Sequence, residues 1–143
     1  MNNTPQVKAP WLKSKDPEVP AALTYSELSM CSRVEEMVRR YPDYIAYEFM
    51  GKCTTYAEMW KKINACAKSL KAIGIREGDK VTICMPNAPQ TLCMFYAVNM
   101  VGAIANMVHP LSAESEIAFY LRDSGSVAAI TLDQFYNLSL IHI

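Results

Sequence analysis

Glycine is scarce in this chain and scattered where it occurs. The five glycines are Gly51, Gly74, Gly78, Gly102 and Gly125. None cluster, so neither GxGxxG nor GxxxxGK[ST] is present, and phosphate cradles of those two kinds are excluded. Neither sign of charge is in excess: 14 Lys plus Arg face 14 Asp plus Glu, and the formal net charge is zero. A balanced, interspersed pattern gives no footprint for nucleic acid or for an anionic membrane. Cysteine pairing motifs are missing too. Cys31, Cys53, Cys66, Cys84 and Cys93 are odd in number and form no CxxC. They read as reduced thiols of a cytoplasmic protein, not as a disulfide framework or a metal site. No apolar run reaches the roughly 18 residues of a membrane span, and the segment 1–15 lacks the apolar stretch of a signal peptide. Proline is common only at the start, where Pro5, Pro10, Pro17 and Pro20 make an irregular arm.

What is present suffices for a core. Hydrophobic residues make up 51% of 143 residues, a normal size for one domain. The stretch from Gly78 to Asp133 organises the rest. Val81–Met85, Ala103–Val108 and Val127–Thr131 are largely apolar runs of strand length, without the alternation of a sheet that has one wet face. Strands buried on both faces look like this and belong to parallel sheets covered by helices. Helical patterns separate them, so the spacing predicts an α/β fold with a β-α-β-α-β core and right-handed crossovers.

The first of those helices, Leu92–Val101, is apolar nearly all round, with Asn87 as a cap, Pro89 near its first position and Gly102 as its stop. Ser112 is the cap expected for the second, which carries Glu114 and Glu116 in its first turn. Upstream, Ser32-Arg33-Val34-Glu35 has the form of a capping box and predicts a helix over 32–40. Ile45–Met50 reads as a strand, turned at Gly51-Lys52 into a short antiparallel partner. Thr55-Tyr56-Ala57-Glu58 is a second capping box. It opens the longest helix, with Met59, Trp60, Ile63, Ala67, Leu70 and Ile73 at helical spacing and lysines on the opposite face. His109 stands at a strand end near a helix start, where open α/β sheets often bind ligands. No carboxylate, serine or cysteine partner is readable beside it, so a structural histidine is the simpler reading.

Thr54–Met59 resembles the T-Y-x-E-L motif of adenylate-forming enzymes. Gly74–Val81 looks like their G-[VI]-x-x-G-D-x-V loop and strand. Met85–Gln90 is similar to their [LM]-P-N-x-x-E/Q turn, and Leu121–Gly125 to their L-x-D-[SA]-x segment. Gly102 through Leu111 resembles their G-A-x-x-x-x-[VL]-x-P-L motif. Asn106 and His109-Pro110-Leu111 match the form of that motif in the acyl-CoA synthetase branch. Five motifs in register identify the chain as a member of the AMP-binding superfamily. Met59 and Thr54-Thr55 depart slightly from the family pattern and leave the substrate open.

The resemblance implies an acid–thiol ligase using ATP, Mg²⁺ and coenzyme A. A fatty or aryl carboxylic acid becomes an acyl-adenylate, and the thiol of coenzyme A then displaces AMP. The family's glycine-rich phosphate loop, its ribose-binding aspartate and its adenylation lysine are absent from this sequence. No residue here is therefore given a catalytic, cofactor-binding or metal role, and the chain reads as an inactive N-terminal fragment. Residues 1–31 are expected to be the irregular arm and 32–137 the start of the AMP-binding domain. Residues 138–143, LSLIHI, resemble the translation of a transposon-end sequencing adapter. Three strands alone would leave an open apolar edge, from which self-association is expected. A free-standing α/β binding module and a carrier-protein-loading adenylation domain remain open as alternatives.

Overall fold

The computed structural model describes residues 10–133 apart from Ala21 and Thr24. The residues read as adapter-derived, and Gln134–Asn137 before them, lie outside the described residues. The arm contains one 3-10 turn, Pro10–Ser14, with no buried residue. Among the described residues five strands and four α-helices follow: α1 Met30–Arg40, β1 Ile45–Phe49, β2 Lys52–Thr55, α2 Tyr56–Ala72, β3 Lys80–Cys84, α3 Pro89–Val101, β4 Ile104–Met107, α4 Glu114–Ser124 and β5 Ala128–Thr131.

The capping box at α2 forms as its sequence requires. Thr55 Oγ1 accepts from the Glu58 N–H at 3.2 Å, and the Glu58 carboxylate accepts from the Thr55 N–H at 3.0 Å. The box expected at Ser32 does not form. Ser29 caps α1 instead, its Oγ accepting from the Ser32 N–H at 3.1 Å. The helix thus starts within the segment assigned to the arm, and the Cys31 thiol reaches the Tyr96 carbonyl of α3 at 3.3 Å. Asn87 is not the cap of α3; Ala88 holds that position without a side-chain bond, and Pro89 stands at its first turn. Ala113, not Ser112, caps α4, where the Glu116 carboxylate reaches back to the Ala113 N–H at 3.1 Å.

β1 and β2 pair as an antiparallel hairpin with Phe49 opposite Lys52, so the turn is Met50-Gly51, one residue earlier than the sequence indicated. Both turn residues have positive φ, +50° at Met50 and +76° at Gly51. That is the type I′ pattern, which favours Asn-Gly. Met50 is 91% exposed, so its side chain gives little in return for the strain. Met50→Asn is expected to stabilise the protein by about 0.5–1 kcal/mol. The gain should appear as a higher urea midpoint at unchanged slope; an unchanged midpoint would refute it.

The remaining strands form one parallel sheet in the order β4-β3-β5. Lys80 pairs with Ile104 on one side of β3, and Val81 with Ala128 on the other. The direction of winding reverses after β4, so right-handed crossovers place α3 and α4 on opposite faces. The side chains of β3 divide accordingly. Val81 and Ile83 join Met59, Ile63, Ala97 and Val98 in the main core with α2 and α3. Cys84 packs with Val108, Ile117 and Leu121 on the α4 side. On that side Thr82, fully buried, accepts from Asn106 Nδ2 at 2.9 Å and shares a hydrogen bond with Ser126 Oγ at 2.7 Å, which ties β3 to β4 and to the loop that enters β5. Burial on both faces holds for β3 alone. β4 and β5 are edges among the described residues, and their side chains are partly exposed.

Candidate functional site: a cleft at the strand ends

The reversal of winding has a geometric result. β3 leads to a helix on one face and β4 to a helix on the other, so their carboxyl ends diverge. This is the topological switch point at which open α/β sheets hold ligands. A cleft of about 480 Å³ lies there. The segment after β3 supplies Met85, Pro86 and Asn87; the end of β4 and the loop after it supply Met107 through Leu111; Leu132, just past β5, completes the lining.

Its walls are held from beneath. The Val108 N–H donates to the Ile83 carbonyl at 3.0 Å, extending the β3–β4 ladder to the rim. Thr91 Oγ1 donates to the Pro86 carbonyl at 2.6 Å and fixes the turn into α3. His109 is brought to the cleft as its position in the sequence indicated, and it is exposed. Its Nδ1 accepts from the Leu111 N–H at 3.2 Å, a bond within its own loop. That bond requires a bare Nδ1 and assigns the proton of the neutral ring to Nε2. The histidine therefore acts first as a brace for the His109-Pro110-Leu111 turn. Cys84 lies below, its thiol 3.9 Å from the His109 carbonyl. Burial pushes this thiol up from its ordinary value, which leaves it protonated and unsuited to attack.

ATP and Mg²⁺ do not fit these residues. The glycines serve separate turns, and among the described residues no group of three His, Cys, Asp or Glu side chains could hold a metal ion. No step of a reaction is assigned to the cleft. Among the described residues no helix is long and apolar enough to cross a membrane.

The described residues form a parallel α/β unit with helices on both faces of its sheet and a crevice at the strand ends. The sequence matches the AMP-binding enzyme family over residues 34–141, and the chain belongs to that family. The match extends into the segment read above as adapter-derived. A long-chain-fatty-acid–CoA ligase of Bacillus subtilis (strain 168) is 31% identical over 131 residues, which is 92% of this chain and 23% of that protein. The chain thus spans about a quarter of that relative's length. Among solved structures, the inhibitor-bound N-terminal domain of FACL13 from Mycobacterium tuberculosis is similar, with a TM-score of 0.73 and 31% identity. That likeness covers 78% of this chain and 28% of the other. NpsA-ThdA from Klebsiella oxytoca, an artificially fused adenylation–PCP di-domain, is similar at a TM-score of 0.69 and 27% identity, covering 71% of this chain and 19% of the other.

Proposed function

We propose that this chain is the N-terminal part of a longer cytoplasmic, AMP-forming acid–CoA ligase. In that longer protein a fatty or aryl acid is activated with ATP and Mg²⁺ and passed to coenzyme A. The observation that carries the reading is the 31% identity to a fatty-acid–CoA ligase along nearly the whole of this chain but only 23% of that relative. The positions of the motifs agree with it. They build the Thr55 cap, the loop into β3, the turn at Pro86 and the rim of the cleft. The 143-residue chain is accordingly a scaffold without ligase activity. Its β4 and β5 edges, unpaired among the described residues, support self-association when it stands alone. The similarity to an adenylation–PCP di-domain favours a second reading, in which the acyl group goes to a carrier protein.

The test compares the 143-residue chain with the whole reading frame of its locus, sequenced independently past Asn137. The whole frame is expected to catalyse fatty-acid-dependent exchange of pyrophosphate into ATP, and the chain alone to show none. Exchange by the chain alone would overturn its reading as an inactive scaffold. A stop codon directly after Ile143 would overturn its reading as part of a longer enzyme. Transfer to a carrier protein in preference to coenzyme A would decide for the second reading.

A further inference from the structure

The bond between the His109 ring and the Leu111 N–H has the form of an Asx turn. Nδ1 stands as many bonds from Cα as the Oδ1 of an asparagine does. Like that oxygen it accepts from the N–H two residues on, here at 3.2 Å. The two acceptors differ in one respect. An amide oxygen accepts at every ordinary pH, whereas an imidazole nitrogen accepts only while it is bare. The Leu111 N–H has no second acceptor among the described residues. The rest of the loop is tied differently. The His109 carbonyl accepts from the Ser112 N–H at 3.1 Å, and the Cys84 thiol lies 3.9 Å from the same oxygen. Pro110 is buried, while Leu111 is 78% exposed at the rim of the cleft.

We propose that this turn is a pH-sensitive latch on the rim of the cleft, closed while the His109 ring is neutral and released when the ring takes up a proton. The proton goes to Nδ1, because Nε2 already carries one, and Nδ1 is the acceptor of the latch. Two N–H groups then face each other across 3.2 Å, so the ring swings away and the Leu111 N–H turns to water. The sign is fixed by this chemistry: the bond is made at higher pH and lost as the pH falls. His109 is exposed, so the proton arrives from solvent without any opening of the fold. Among the described residues that line the cleft no other titrates, and the same proton gives that lining its one formal charge. The elements around it carry few charged groups. α3 has no acid in its first turn. α4 has Glu114 and Glu116, the latter held on the Ala113 N–H, and Asp133 follows β5. The Cys84 thiol beneath is kept protonated by burial. The Ser112 N–H bond to the His109 carbonyl does not involve the ring, so release is confined to the side-chain lock.

The experiment records amide and imidazole NMR spectra of the full chain from about pH 8 down to about pH 5, the span in which histidines change charge. The Leu111 amide is expected to follow the same titration curve as the His109 ring. Its protection from hydrogen exchange, corrected for the intrinsic effect of pH, should fall about three- to tenfold across that curve. His109→Asn separates the latch from the proton, because asparagine supplies the acceptor and does not titrate. In that variant Leu111 should stay protected at both ends of the range, and in His109→Ala it should be unprotected at both. The carboxylates of α4 and Asp133 are present in all three chains, so only the ring differs. Comparison with His109→Asn also tells the ring signals of His109 from those of His142, the other histidine. A Leu111 amide that keeps its protection while the His109 ring titrates, or one that loses it in His109→Asn as in the parent, would overturn the latch.

Discussion

Replacing Ile83 by alanine is expected to cost about 3–4 kcal/mol. Ile83 is fully buried in the central strand, with Met107 opposite it on β4 and Ile130 on β5. Its side chain joins the core that also holds Ile63, Ala97 and Val98. Helices and paired strands surround the position, so the space left by three missing carbons cannot close without moving an element. A loss of this size is a large part of a domain's usual stability of roughly 5–15 kcal/mol. Urea unfolding should show a lower midpoint with an unchanged slope. Ile104→Ala is the control. Ile104 lies one strand away at the edge and is 52% exposed, so its loss should stay within about 0.5–1 kcal/mol. Equal losses at the two positions would refute the placement of β3 at the centre of the sheet.

Gly102→Ala is expected to cost about 2–3 kcal/mol, made of two separable parts. Gly102 closes α3 with φ +84°, a region that costs a side chain about 1–2 kcal/mol. A Cβ at this position would also stand 3.0 Å from Glu77 Cγ and 3.2 Å from Glu77 Cβ. Glu77 cannot retreat freely, because the neighbouring Gly78 N–H donates to the Gly102 carbonyl at 3.0 Å. Gly78 separates the two parts. Its φ is +82°, nearly the same, but a Cβ there would meet nothing within 4 Å. Gly78→Ala should therefore show only the backbone part, and the difference between the variants measures the contact with Glu77. If Gly102→Ala is no worse than Gly78→Ala, the contact is relieved and that part of the argument fails.

These residues also show how far the sequence could be read. The β-α-β-α-β order was legible because long apolar runs and helical spacing are local signals, and the Thr55–Glu58 box because both partners lie in one turn. The start of α1 was not. Ser29 and Ser32 are both competent caps, and the contact of Cys31 with Tyr96, distant in sequence, accompanies the earlier start. Burial of β4 and β5 was overestimated because apolar content does not tell a central strand from an edge one. The cleft was half legible. His109 marked the strand end, but its bond to the Leu111 N–H depends on the loop's conformation.

The strand order β4-β3-β5 also bears on how the chain assembles. Both parallel pairings depend on β3: β3–β4 needs one helix-length crossover to close before any ladder bond forms, and β3–β5 spans α3, β4 and α4. The β1–β2 hairpin and the α2 cap, by contrast, close over a few residues and gain their contacts early. Assembly of the sheet is then the slow, non-local event, and β3 waits with both edges bare until first β4 and then β5 arrive. During synthesis that interval begins when β3 emerges and ends only after β5 has followed it, so the most deeply buried strand is also the one exposed to wrong partners for longest.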